Sequence, residues 1–412
     1  MLTEQQVLQL LDRRKPGFSL AADFYLDDAI FSIEMAAIFE KQWLLAGNAC
    51  ELPEVGDYLL TDVGRNSIIV IRSDVNTVEA FYNSCRHRGS RLCAEPAGNK
   101  TRLVCPYHHW TYDLSGRLQH AQQMGESFKL SDYALKRVHL TNVCGVLYVC
   151  LADTPPEFDY FKNTVSPFIE PHQPARTKVA CEISIIEKAN WKLVIENNRE
   201  CYHCEGNHPE LLSSLTSFAL PDDPTGDGEF HDLMRRKTAD WDALGLPHRP
   251  ADGRGKFRCI RLPFINSALT MSLDGELISR RLLGHLEDPD LGSVRMFHVP
   301  GNWNHFASDH IIHFSVHPLS AHETRVTTKW LVHEDAVEGW DYDIQRLTAV
   351  WKATNEQDQR LAENNFLGIQ NKGYEPGPYS PVSEFMCIDF TNWYAAEMEN
   401  HLLPPAPLRI VG

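Results

Sequence analysis

Two short pairs of cysteine and histidine stand close together in the chain and could hold one metal centre. Cys85-x-His87 is the first pair, and Cys105-x2-His108 is the second. Two thiolates and two imidazoles form the ligand set of a tetrahedral zinc site. The same residues can hold a [2Fe–2S] cluster in which the cysteines bind one iron and the histidines bind the other. A cluster of that kind has a raised reduction potential and passes electrons one at a time.

The residues around the two pairs favour the cluster over zinc. Gly89 and Pro106 permit the tight turns of two ligand loops, and the run Cys105–Trp110 is more specific than a loose Cys/His pair. These boxes resemble the Rieske domain of the Rieske non-haem iron oxygenases. The resemblance implies that all four cysteine and histidine residues of the pairs are cluster ligands. The spacing selects His108 over its neighbour His109, which we interpret as a loop residue.

Length and composition predict two domains and exclude some functions. A chain of 412 residues exceeds one ordinary core, and 43% hydrophobic with 23% charged residues is typical of a globular protein. A net charge of −16 without a basic stripe excludes nucleic-acid binding, and no apolar run reaches the roughly 18 residues of a membrane span. Residues 1–19 resemble a short amphipathic helix rather than a signal peptide. Eleven cysteines then fit a reducing, cytoplasmic location, with metal ligation favoured over disulfides.

The elements that must position the two pairs are short strands. Between residues 42 and 155, β-rich runs such as Ser67–Ile71 alternate with turns marked by glycine. This pattern predicts an all-β domain over 42–155, with both Cys/His pairs on loops. Pro155-Pro156 predicts a boundary to a second domain at 156–412, and residues 1–41 are predicted to form a helical segment that packs on that domain.

The second domain is predicted to be α+β, with helices on a mostly antiparallel sheet. Apolar residues at spacings of three and four predict helices over 190–205 and 342–369. Residues 221–255, rich in Asp, Gly and Pro, are predicted to be a long surface excursion. The predicted strands are 178–188, 277–283, 293–299, 310–317 and 325–332.

A second metal site is predicted where the first of these helices ends. His203 and His208 are five residues apart, whereas two helical residues that share a face are spaced four apart. Gly206 and Asn207 are therefore expected to unwind the last turn and direct His208 inward. Two histidines with one carboxylate make the facial triad of non-haem Fe(II) oxygenases, which leaves positions open for dioxygen and substrate. The surrounding box resembles the iron-binding segment of the same oxygenase family.

The carboxylate must come from another element, and the long helix offers three. The resemblance places the third iron ligand at Asp358, in the run Asn355–Asn365. Glu356 and Glu363 are the alternatives. Glu356 lies two residues away on a different face of the helix, and Glu363 lies more than one turn further on.

Glu200 has a separate role in the resemblance. It matches a carboxylate that, in the family, links a cluster histidine of one subunit to an iron-ligand histidine of the next. For this chain the implied pair is His108 on one subunit and His203 on its neighbour, which implies a homotrimer. Most relatives carry Asp at this position, and Glu resembles the branch that oxidises quaternary ammonium compounds.

The resemblance, which extends over about residues 42–394, implies a Rieske-type monooxygenase that N-demethylates a betaine. It would use O2 and electrons from NAD(P)H, delivered by a separate flavin/iron–sulfur reductase. Stachydrine (proline betaine), giving N-methylproline and formaldehyde, is the first expected substrate. Glycine betaine giving dimethylglycine, or the ring of an aromatic compound in a dioxygenase, are the alternatives, and an electron carrier is a further one. Aromatic faces would hold the cation. The candidates are Trp303, Phe306, Phe314 and Phe264, although ordinary core packing is the favoured interpretation of each.

Overall fold

The structure, a computed structural model, describes residues 2–253 and 255–403. In that part of the chain the strands are β1 (Leu44–Asn48), β2 (Asp57–Val63), β3 (Asn66–Asp74), β4 (Thr77–Tyr82), β5 (Ala97–Asn99), β6 (Leu103–Val104), β7 (Thr111–Tyr112), β8 (Leu118–His120), β9 (Arg137–Val143), β10 (Val146–Cys150), β11 (Thr177–Glu187), β12 (Ala251–Asp252), β13 (Phe257–Leu262), β14 (Ser293–His298), β15 (Asn302–Phe306), β16 (His310–Pro318) and β17 (Thr324–His333). The α-helices are α1 (Glu4–Asp12), α2 (Asp23–Leu26), α3 (Asp28–Glu34), α4 (Asp159–Ile169), α5 (Trp191–Asn198), α6 (Cys204–Asn207), α7 (Gly228–Ala243), α8 (Ile344–Ile369) and α9 (Phe385–Leu402).

The N-terminal β domain is built on an antiparallel sheet with strand order β1-β10-β9-β4-β3-β2-β5. Side chains alternate between the two faces of a strand, and both faces of β3 are buried. Ile68 and Val70 pack against β10, whereas Ile69 and Ile71 pack into the cluster of apolar residues that contains Cys85. A smaller sheet of β6, β7 and β8 also contributes side chains to the apolar cluster that contains Cys85. The central sheet therefore packs against the cysteine loops and supports them.

The two Cys/His pairs lie on two turns with the same hydrogen-bond pattern. Cys85 N donates to Ser90 O while Gly89 N donates to Cys85 O; in the second turn, Cys105 N donates to Trp110 O and His109 N donates to Cys105 O. Gly89 and His109 occupy equivalent places, and both have positive φ, +79° and +57°. His109 thus takes a backbone conformation that favours glycine. His109 is therefore part of the turn that carries Cys105 and His108.

The second domain contains an antiparallel sheet with strand order β11-β17-β16-β15-β14-β13-β12. Helix α4 covers one face, where Phe161 and Val165 pack with Phe257 and Met296. Helices α5 and α8 cover the other face, and Trp351 of α8 packs edge-on against Phe314 of β16. This arrangement confirms the predicted α+β architecture of helices on an antiparallel sheet.

The N-terminal helices pack on the second domain around a buried carboxylate. Glu34 accepts hydrogen bonds from Lys192 Nζ (2.5 Å), Trp191 Nε1 (2.8 Å) and Tyr394 OH (2.6 Å), and the Lys192–Glu34 ion pair is fully buried. A buried ion pair of this kind is costly to break because the remaining charge would be left without a partner. It joins the N-terminal segment to the start of α5. Among the described residues, no helix has the length and hydropathy to cross a membrane.

Three of the predicted elements are wrong in detail. Residues 277–283 form no strand because Ile278 N and Ser279 N donate to Asp309 Oδ2 rather than to a neighbouring strand. The helix predicted over 190–205 ends at Asn198, and the Glu200 side chain accepts backbone hydrogen bonds from the turn that follows. The predicted excursion at 221–255 contains helix α7, which buries an apolar face against β13.

Candidate metal centres and an adjoining cavity

The four residues of the two Cys/His pairs converge. Cys85 and Cys105 are buried, 3% and 1% exposed, and Cys85 Sγ lies 3.4 Å from Tyr112 OH. The rings of His87 and His108 lie 4.6 Å apart at an angle of 71°. His87 stacks on Trp110, with 4.8 Å between ring centres, whereas His108 is exposed.

The residues present fit a [2Fe–2S] cluster. Nδ1 of His87 is buried and has no hydrogen-bond partner among the described residues, although buried ring nitrogens normally have one. Burial raises the pKa of Cys85, and the Tyr112 hydroxyl only partly offsets this. A buried thiol ligates as the thiolate, so bound metal would supply the missing positive charge. The two sulfur atoms lie on the interior side of the loops and one imidazole faces solvent.

His203, His208 and Asp358 meet at a second point. His203 Nε2 lies 3.0 Å from His208 Nε2, and Asp358 Oδ1 lies 3.4 Å and 3.0 Å from these two nitrogens. Donors about 2.1 Å from one metal ion, at right angles to each other, are separated by about 3.0 Å. The three atoms are therefore spaced like one face of an octahedral site. His208 is buried, while His203 and Asp358 are partly open to a cavity.

The hydrogen bonds behind the two rings orient their Nε2 atoms toward this point. His203 Nδ1 donates to Glu200 Oε1 (2.5 Å), because a carboxylate only accepts. His208 Nδ1 lies 2.8 Å from Gln357 Oε1, and Gln357 Nε2 donates to Glu210 Oε2, which fixes the orientation of the amide. With each Nδ1 protonated, both Nε2 lone pairs are free to bind a metal.

The local electrostatics favour a cation. Burial by itself would lower the pKa of His203, but the carboxylates of Asp358 and Glu200 outweigh it and raise this pKa to about 9. Burial would raise the pKa of Asp358, but the neighbouring histidines outweigh it and the pKa is lowered. Without a metal, protons therefore occupy the place that a metal ion would take. The donor set fits a mononuclear iron.

The two alternative carboxylates lie elsewhere. Glu356 is exposed, and Glu363 Oε1 accepts hydrogen bonds from Lys188 N and Gln359 Nε2. Asp358 is the member of this group whose carboxylate reaches both histidines. Its assignment as iron ligand stays a prediction that this geometry supports.

Cys201 and Cys204 are joined by a disulfide in the structure, with 4.9 Å between their Cα atoms. The sequence analysis favoured metal ligation over disulfides, so this disulfide differs from that prediction. Cys204 Sγ lies within 4.8 Å of ligating atoms of His203 and His208. A disulfide sulfur is not a thiolate, so the donors available at this point are the two histidines and Asp358.

Gln357 is a residue at the site that sequence reasoning missed. Its signal was its place directly before Asp358 on α8, since that turn of the helix faces His208. We expect Gln357→Leu to lower the affinity for the mononuclear metal about 10- to 100-fold, because the His208 ring loses the group that orients it. Competition with a chelator for Fe(II) measures this affinity.

Gln359→Leu is the matched control for that experiment. Gln359 lies on the same helix but donates to Ile186 O and to Glu363, away from the metal site. Equal affinities in wild type and Gln357→Leu would contradict the orienting role.

A cavity of about 570 Å³ extends from His203, His208 and Asp358 to the face of the β11–β17 sheet. Of the four aromatic candidates from the sequence, Trp303 lines it, and Phe314 stacks behind Trp303 at 4.9 Å. Phe306 and Phe264 pack into apolar clusters instead. Sequence reasoning did not assign the other aromatic residues of the lining to the cavity, Phe297 and Trp351 among them. Trp351 precedes Asp358 by seven residues, two turns of α8, so the spacing along the helix was a usable signal.

Comparison with known proteins finds two family models that match this chain. Residues 42–138 match the family described as Rieske [2Fe-2S] domain, and residues 172–400 match the ring hydroxylating alpha subunit (catalytic domain). The glycine betaine monooxygenase oxygenase subunit of Pseudomonas aeruginosa is 48% identical over 95% of this chain and 92% of its own length. The corresponding subunit of Chromohalobacter salexigens is also 48% identical, over 97% and 90% of the two chains.

A solved structure shows the same fold. It is a quaternary ammonium Rieske monooxygenase studied for carnitine oxidation by gut microbiota and for inter-subunit electron transfer. The TM-score is 0.71 with 20% sequence identity, over 96% of this chain and 99% of the other.

Proposed function

Since this chain belongs to the Rieske non-haem iron oxygenases, we propose that it removes one N-methyl group from glycine betaine, giving dimethylglycine and formaldehyde. Membership of the family confirms the predicted oxidoreductase class and both iron cofactors. The similarity of nearly full length to two glycine betaine enzymes carries the choice of substrate. It favours glycine betaine, the alternative from the sequence, over stachydrine.

We assign the cluster to the first convergence of residues. Cys85 and Cys105 would hold one iron, and His87 and His108 would hold the other. The unpartnered Nδ1 of His87 supports this assignment.

The mononuclear iron is assigned to His203, His208 and Asp358. When bound, the iron activates dioxygen and the cluster supplies single electrons. The surrounding residues orient the metal ligands and leave the site open to the cavity. Glu200 and Gln357 orient the two imidazoles, and the partial exposure of His203 and Asp358 leaves one side of the site facing the cavity.

The reaction balances with one dioxygen, two electrons and two protons. One oxygen atom becomes the hydroxyl of an N-hydroxymethyl ammonium, and the other leaves as water. The hydroxymethyl compound then loses a proton from its hydroxyl and breaks its C–N bond, which releases formaldehyde and the tertiary amine. The electrons come, in this proposal, from a separate flavin/iron–sulfur reductase.

Aromatic faces in the cavity suit a permanent cation, since a quaternary ammonium has no proton to donate and is held by the negative face of a ring. Trp303 and Trp351 line the cavity that the three donors close at one end. Buried arginines in the same lining, Arg258 and Arg295, would be poorly placed beside an unsubstituted aromatic hydrocarbon. This observation favours a zwitterionic substrate over the dioxygenase alternative.

Formaldehyde release tests the proposal. Purified enzyme with a compatible reductase, NADH and O2 is incubated with glycine betaine, stachydrine, carnitine or naphthalene. We expect formaldehyde with the betaines, and the highest kcat/KM with glycine betaine. No formaldehyde from any quaternary amine would reject the proposed function, and a higher kcat/KM with stachydrine would restore the first expectation from the sequence.

A further inference from the structure

A buried guanidinium without a carboxylate partner lies in the wall of the cavity. Arg295 is in β14, and its Nη1 donates to Thr216 O at 2.9 Å. Its Nε and Nη2 atoms are buried and have no hydrogen-bond partner among the described residues. Burial lowers the pKa of Arg295 to about 10, with no nearby acid to offset the effect. The protein therefore holds a positive charge here that nothing in the described chain neutralises.

The two free nitrogens are those that recognise a carboxylate. Nε–H and the adjacent N–H of Nη2 point the same way from one edge of the guanidinium plane. That edge matches the two oxygens of a carboxylate in a bidentate pair. Leaving such an edge buried and unpaired is costly, whereas a ligand anion would satisfy both donors and the charge.

Two other charged side chains of the lining, unlike Arg295, have partners that offset their charge or donate hydrogen bonds to them. Arg258, in β13, lies near the acids Asp252, Asp389 and Asp223, which offset its charge. The Asp223 carboxylate accepts hydrogen bonds from Thr225 and from Ala219 N, within its own loop. Among the described residues that line the cavity, Arg295 is therefore the cation whose charge no acid offsets.

The position of Arg295 relative to the metal site suits a zwitterion. His305 lies opposite Arg295 in the sheet, and the His305 ring lies 4.7 Å from the ring of Trp351. Trp351 is two turns before Asp358 on α8, or about 10 Å along the helix axis. All four residues line the same cavity. The ring of Trp351 therefore shares the cavity wall with both the cation of Arg295 and the metal-binding donor Asp358.

We propose that Arg295 binds the carboxylate of the substrate through its Nε/Nη2 edge, so that the quaternary ammonium group is directed away from Arg295 and toward the aromatic lining of the cavity. This proposal rests on the proposed function and deepens it. It makes Arg295 the residue that selects carboxylate-bearing quaternary ammonium compounds over those without a carboxylate.

The test compares two ligands that differ in the carboxylate. Dissociation constants for glycine betaine and tetramethylammonium are measured by calorimetry on the iron-loaded holoenzyme. Wild type is expected to bind glycine betaine about 100-fold more tightly, and Arg295→Met to lose most of that preference, because the carboxylate loses its charged partner. Arg295→Lys keeps the charge but lacks the two-donor edge, and we expect an intermediate preference.

The ratio of the two constants is internal to each variant, so a loss of folded protein does not change it. Arg261→Met is the matched control: Arg261 is a buried arginine of the neighbouring strand that bonds to Pro247 O and Leu291 O and does not line the cavity. We expect this variant to keep the wild-type ratio. An unchanged ratio in folded Arg295→Met, or in Arg295→Lys if only that variant folds, would overturn the proposal. Absence of formaldehyde with wild type would instead reject the proposed function.

Discussion

Asp358→Ala is expected to remove the mononuclear iron and abolish demethylation while the [2Fe–2S] cluster stays intact. The carboxylate supplies one of three donors that are spaced like a face of one metal site, and two neutral imidazoles alone hold Fe(II) weakly. Iron content should fall from about three to about two atoms per chain. Formaldehyde formation should fall at least about 1000-fold, because metal assistance is worth several kcal/mol.

The two measurements are iron analysis of the purified protein and the visible absorbance of the cluster. Glu356→Ala and Glu363→Ala are the controls, since these carboxylates lie on the same helix but away from the histidines. If Glu363→Ala lost the mononuclear iron and Asp358→Ala kept it, the ligand assignment would be wrong.

Glu200→Gln is expected to slow electron transfer from the cluster to the iron about 100-fold, with both metal centres still bound. Glu200 Oε1 accepts from His203 Nδ1, and its Oε2 accepts from two backbone N–H groups of the following turn. A carboxylate has about four acceptor positions, so one remains for a histidine of a neighbouring subunit. The glutamine amide lacks the charge that would hold two imidazole N–H groups at once.

Stopped-flow absorbance of the reduced cluster, mixed with substrate and O2, measures this rate directly. Glu205→Gln is the control, because Glu205 lines the same cavity but is exposed. Glu200→Asp, which keeps the negative charge on a shorter side chain, should restore part of the rate. Cluster oxidation at the wild-type rate in Glu200→Gln would exclude Glu200 as the link between His108 and His203.

The Cys/His loops were predictable from the sequence because their geometry is local. Each ligand pair lies within four residues, so backbone turns determine the spacing of the donors, and the Cys105–Trp110 run is specific enough to identify the family. The architecture followed from strand and helix periodicity, which depends on neighbouring residues. Boundaries failed where a distant side chain took backbone hydrogen bonds, as Asp309 does with Ile278 and Ser279.

By itself the sequence identified the oxygenase family, and it predicted the two pairs of cluster residues and the histidines at 203 and 208. Only the tertiary structure decided what surrounds them. Asp358 and Gln357 reach His208 across about 150 residues of chain because α8 packs beside α5. Arg295 stands without an acid because the folded sheet turns it into the cavity. Charge and burial at these positions depend on long-range packing, which no local residue pattern contains.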